Sequence, residues 1–168
     1  LDGLVAVVTG VGRGIGRAIA LEMAGEGAAV VVSSRTRSEL NIVVKEIGNL
    51  GSSGLAVEAD AMVRDRAKDP VRQAVSHFER IDILVNNVGG GVLGDQGAFT
   101  HDDDTFEASL ILNLTSAYWT TREALPHMRD QAFGRVLTIG SGYAKRSGGA
   151  VAYTTAKHGL IGFTRALA

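Results

Sequence analysis

Apolar positions along the chain fall into two alternating patterns. Short β-branched runs, as in Val5–Thr9 and residues 29–33, are followed by longer stretches whose apolar residues recur at helical spacing, 14–24 and 38–50. The same rhythm continues with a strand expected over 55–59 and a helix for which Asp69 and Pro70 suit the N-cap and first position, running to about residue 78. A fourth strand is expected over Ile83–Asn86. A glycine-rich loop, 89–97, leads into one long helix over about 103–131, then a fifth strand over 136–139 and a second long helix from about residue 152. Strands that are apolar throughout and separated by helices cannot expose either face. They predict an α/β fold, a doubly wound parallel sheet in three layers with right-handed crossovers, over a single domain spanning 1–168.

Composition narrows the function classes. At 45% hydrophobic and 21% charged, the chain is neither disordered nor fibrous. Lys plus Arg is 17 against 18 Asp plus Glu, so no basic excess points to nucleic acid or an anionic membrane surface. No run approaches the roughly 18 apolar residues of a spanning helix, and no secretory leader pattern opens the chain, so a cytoplasmic protein is expected. With no cysteine, disulfides, thiolate ligands and thiol nucleophiles are excluded. The chain opens on Leu1 and stops at Ala168 inside a helical pattern without a cap, so both ends read as cut.

Chemistry concentrates at the carboxyl ends of the expected strands. After the first comes Thr9-Gly10-Val11-Gly12-Arg13-Gly14-Ile15-Gly16, opening a helix. Residues without side chains let the backbone turn tightly against a phosphate, and the free N–H groups and dipole of the helix start attract its charge. Gly16 would let helix and strand pack closely. The alternative is a tight turn that merely needs glycine.

Thr9-Gly10 followed by Gly14 and Gly16 resembles the TGxxxGxG pattern of the short-chain dehydrogenase/reductase family. Asn86-Asn87-Val88-Gly89 is similar to its NNAG segment, with Val88 for alanine, and the likeness covers essentially the whole chain. A Rossmann-like fold and NAD(P) chemistry are what this resemblance implies, with Gly10, Gly12, Arg13, Gly14, Ile15 and Gly16 around the cofactor phosphates. It further implies that Asp60 and Ala61 meet the adenine and that Asn87 and Gly89 line the cleft. From the residues alone, Asp60 serves equally well as a cap on the following turn.

Cofactor choice is read at the second strand. An acid there would accept hydrogen bonds from the adenosine ribose and repel a 2′-phosphate; this chain has Ser34 instead, followed by Arg35. Arg35 and Arg13 are guanidinium groups suited to gripping a phosphate, so NADP(H) is expected over NAD(H). The alternative for each arginine is a solvated surface charge.

Tyr153 and Lys157 stand at i and i+4, on one face of the last helix. A free phenol titrates near 10, and a neighbouring ammonium stabilises its ionised form. Ser141, beyond the fifth strand, lies at the sheet edge where ligands bind in open α/β folds, its hydroxyl able to donate to a carbonyl oxygen. Ser141 to Tyr153 is 12 positions, one fewer than the resemblance leads us to expect, so the loop 142–152 differs in shape. By the same resemblance Asn113 holds a water linking Lys157 to solvent, completing the set Asn113, Ser141, Tyr153 and Lys157. Glu79 stands where glycine often precedes the Arg-Ile-Asp before the fourth strand, a variation of little chemical weight. His101 with Asp102, Asp103 and Asp104 is read as an exposed helix start rather than a metal site.

These residues predict an NADP(H)-dependent oxidoreductase acting on a ketone, aldehyde or secondary alcohol, a small-molecule partner. The two long helices resemble those that form the family's dimer and tetramer contacts, which implies a homodimer or homotetramer. Two other readings stay open: an NAD-dependent alcohol or sterol dehydrogenase, and a dinucleotide-binding module without catalysis.

Overall fold

The computed structural model describes residues 1–92, 102–145 and 149–168. Five strands form one parallel sheet in the order β3-β2-β1-β4-β5: β1 (Val5–Thr9), β2 (Ala29–Ser34), β3 (Gly54–Glu58), β4 (Ile83–Asn86) and β5 (Arg135–Thr138). Alternation along the strands divides the core in two. Ala6, Val8, Val30 and Val32 pack with Leu40, Val43 and Ile47 on one side. Val5, Val7, Val31 and Leu84 pack with Val71, Ala124 and Met128 on the other. The helices α1 (Gly14–Gly25) and α2 (Arg37–Asn49) therefore cover one face, and α3 (Arg64–Phe78) and α5 (Ser116–Asp130) the other. Among the described residues, no helix is long and apolar enough to cross a membrane.

Two elements differ from the sequence expectation. Helix α3 begins at Arg64, a turn and a half before Asp69, and Pro70 lies inside it. Its buried stripe, Ala67, Pro70, Val71 and Ala74, has helical spacing but is made of small residues among six charges, which hid it. An interior proline forfeits one backbone bond; here the buried ring contributes to the core side of the helix instead.

The expected helix over 103–131 is divided. Helix α4 (Asp103–Leu110) passes into a π-helical turn, Ile111–Thr115, and then into α5. Such single turns, bonded i to i+5, recur at functional sites. The Thr115 hydroxyl follows that spacing, donating to the Leu110 carbonyl at 3.4 Å. After β5 comes a short 3₁₀ turn, Gly142–Ala144, and then α6 (Val151–Leu167), which packs on α4 and the π turn.

The strand order fixes where a ligand can bind. The chain builds outward from β1 to β3, then returns to the other side of β1 to add β4 and β5. Successive connections after β1 and β4 thus leave on opposite faces, opening a crevice at the carboxyl ends of these two strands.

Candidate active site

The turn after β1 and the segment after β4 meet at that crevice. Gly10 adopts φ +71°, a conformation that favours glycine, and its N–H donates to the Ser33 carbonyl at 2.8 Å. The Asn87 side chain donates to the carbonyls of Thr9 and Gly10, both at 3.0 Å. A Cβ at Gly16 would collide with the Gly10 carbonyl and the Asn87 amide, so the start of α1 packs on the turn as closely as a backbone allows. Arg13, the N-cap of α1, supplies no side-chain cap, and no acid occupies the first helical turn. The first N–H groups of α1 are therefore available to an anion, and the turn fits a pyrophosphate on geometry as well as pattern.

Thr9 organises this junction, a role that was not foreseen. Its hydroxyl donates to the Val85 carbonyl at 3.2 Å and accepts from the N–H groups of Asn87 at 3.1 Å and Val88 at 3.3 Å. One buried oxygen thus ties the end of β1 to the end of β4. A polar residue closing a fully apolar strand was the available signal.

Further along the same edge, Ser34 and Ala61 line one pocket with Thr9, Asn86 and Val88. Asp60 accepts from the Met62 N–H at 2.9 Å, the turn-capping role weighed above. Ser34 makes a local turn with Thr36, whose N–H donates to its hydroxyl at 3.2 Å. Arg13, Arg35 and Ile15 are exposed on the rim.

The four residues proposed for proton chemistry also converge. Lys157 is 3% exposed, and its ammonium donates to the Ile139 carbonyl at 3.0 Å, just beyond β5. Nζ lies 5.7 Å from the centre of the Tyr153 ring, as the i, i+4 spacing requires. Burial removes water from the ammonium and pushes its pKa below the ordinary lysine value. A Cβ at Gly89 would lie 2.9 Å from Asn113 Oδ1 and 3.1 Å from Lys157 Nζ, so both side chains approach the loop after β4 at one point.

Asn113 sits in the π turn, 1% exposed. It accepts from the Gly90 N–H at 2.8 Å and donates to the carbonyls of Gly90 at 2.9 Å and Ser109 at 3.0 Å. Both amide hydrogens are thereby used, while Oδ1 keeps a second lone pair. Asn113 therefore clamps the Gly90 backbone directly, just beyond Gly89.

Ser141 accepts from the Tyr143 N–H at 3.2 Å, capping the 3₁₀ turn, an arrangement that leaves its own hydroxyl hydrogen to donate elsewhere. Tyr143, an aromatic residue overlooked in the sequence, stands edge-to-face with Tyr153, centroids 6.2 Å apart. Ser141, Tyr143 and Tyr153 are thus linked across the short loop. Residues 146–148 of that loop, residues 93–97 of the loop after β4, and His101 lie outside the described residues. Asp102 caps α4, accepting from the Thr105 N–H at 2.7 Å, as expected of a helix start.

Comparison with known proteins extends the likeness in sequence and fold. A family model described as short chain dehydrogenase matches residues 4–168. The short-chain reductase protein NovJ of Streptomyces niveus is 37% identical over 164 residues, spanning 98% of this chain and 62% of that protein. A metagenomic short-chain oxidoreductase in complex with NADP superposes with a TM-score of 0.94 at 33% identity, over 100% of this chain and 76% of that one. A 7α-hydroxysteroid dehydrogenase complexed with NADH and 7-oxo glycochenodeoxycholic acid gives 0.93 at 33% identity, over 99% of this chain and 65% of that one. The chain thus spans 62% of the length of NovJ and of several other curated relatives it matches.

Proposed function

The chain belongs to the short chain dehydrogenase family, and on that premise we propose that the protein is an oxidoreductase moving a hydride between NADP(H) and a ketone, aldehyde or secondary alcohol. The observation that carries the proposal is the convergence of Tyr153, Lys157, Ser141 and the Asn113-clamped Gly89–Gly90 segment at one edge of the sheet.

When bound, the nicotinamide supplies the hydride; the chain's own residues manage charge and the proton. Tyr153 is the general acid toward a carbonyl oxygen, and the base in the reverse direction. Lys157, held by the Ile139 carbonyl, presents its positive charge to the phenol and favours the phenolate that proton donation leaves behind. Ser141 donates to the same oxygen as negative charge develops on it. Asn113 keeps a free lone pair next to Lys157, which suits it to hold the water of a proton relay. Ser34 in place of an acid, with Arg13 and Arg35 exposed on the rim, supports NADP(H) over NAD(H). Relatives of this fold have been solved with either cofactor.

Tyr153→Phe separates chemistry from binding, because it keeps the ring and deletes the proton. We expect NADPH affinity, followed by nicotinamide fluorescence, to stay within about twofold, while turnover of a carbonyl panel falls by about 10²–10⁴-fold. Undiminished turnover in this variant would overturn the assignment.

A further inference from the structure

Glu39 lies in the first turn of α2, just after the Ser34–Arg35 segment, and is half-buried. Its carboxylate rests directly on the glycine turn. A Cβ built at Gly12 would fall on Glu39 Oε2, with Cδ only 3.1 Å away. Among the described residues Glu39 has no ion pair within 4 Å, although Arg13, Arg35 and Arg37 are close in sequence to these two elements. Arg17 pairs with Glu46, and Arg37 donates to the Ala56 carbonyl at 2.9 Å. Beside the carboxylate is the start of α1, whose uncapped N–H groups and dipole favour a negative charge. An acid is thus stationed where phosphates are to be received, delivered from α2 rather than from the end of β2.

We propose that Glu39 is a selectivity residue for the cofactor. Its carboxylate supplies the ribose-hydroxyl acceptor that Ser34 cannot, and it repels a 2′-phosphate. It therefore opposes the pull of Arg13 and Arg35 toward NADP(H) and keeps NAD(H) usable. The inference rests on the reading that the glycine turn holds a dinucleotide.

Two variants test it by different routes. Glu39→Gln removes the charge and keeps the size. Glu39→Ala removes the carboxylate altogether and leaves every residue of the glycine turn unchanged. Each variant and the wild type are titrated with NADPH and NADH separately by nicotinamide fluorescence, which requires no turnover. The expected result in both variants is NADPH binding about tenfold tighter, equivalent to about 1.4 kcal/mol, with NADH binding unchanged or weaker. A wild type that binds both cofactors, with a ratio of dissociation constants that stays within about twofold in both variants, overturns the inference alone. A wild type that binds neither dinucleotide overturns the reading beneath it, and the inference with it.

Discussion

Replacing Asn113 with Leu tests how far the site depends on the π turn. Leucine keeps the branching of asparagine, is larger and has no polar atoms, so it removes three hydrogen bonds without opening a cavity. The bonds lost are those to the Gly90 N–H, the Gly90 carbonyl and the Ser109 carbonyl. Each contributes about 1 kcal/mol net, and a buried group left unpaired costs about 1–3 kcal/mol. The Ser109 carbonyl belongs to a helix and keeps access to a backbone partner, whereas both Gly90 groups are only half-buried and can recruit water. The expected loss is therefore about 2–3 kcal/mol rather than the sum of three full penalties. For a chain of 168 residues this lowers the melting temperature by roughly 4–12 °C. Urea unfolding followed by circular dichroism measures the loss, and an NADPH titration on the same samples should show weaker binding because the Gly89–Gly90 segment is released. A variant within about 0.5 kcal/mol of wild type would refute the clamp and leave Asn113 with a water-holding role alone.

Two other expectations follow from strained or desolvated positions. Glu79 ends α3 with φ +62°, where the family pattern often has glycine, so the substitution is not of little weight: a side chain in this conformation costs about 1 kcal/mol. Glu79→Gly should raise stability by about 0.5–1 kcal/mol in urea after the added freedom of the unfolded chain is subtracted, and a less stable variant would contradict it. Lys157 has its pKa lowered by burial from 10.5, so between its folded value and 10.5 the unfolded chain holds more protons and stability rises with pH. Lys157→Met should therefore lose turnover yet unfold at higher urea than wild type at pH 7, with the gain shrinking as pH approaches about 10.5; a gain that is constant with pH would exclude desolvation as its source.

The strands β1, β2 and β4 were legible because each is a run of apolar residues buried on both faces, a pattern a covered parallel sheet produces. The glycine turn and the Tyr153–Lys157 pair were legible because their chemistry depends on local spacing. What escaped is set by relations between distant segments. The stripe of α3 is too weakly apolar to announce its first turn. Glu39 is an ordinary acid at a helix start, and only the approach of α2 to the turn after β1 gives it a neighbour at Gly12.

The π turn escaped for a different reason, and it couples fold to site. One extra residue leaves the apolar and polar pattern of a long helix almost unchanged, yet rotates everything beyond it by about 100°. Before the break, α4 and the turn aim Asn113 at Gly90 and leave a surface for α6, which brings Lys157. Beyond it, α5 presents Thr120 and Thr121 to Asn86 at the end of β4, joined by bonds of 2.5 and 2.9 Å. An uninterrupted helix could not hold both registers. The break lets one helical segment pack on the sheet and clamp the loop that leaves it, so the ends of β4 and α6 are held in a common frame by Asn86 on one side of the turn and Asn113 within it.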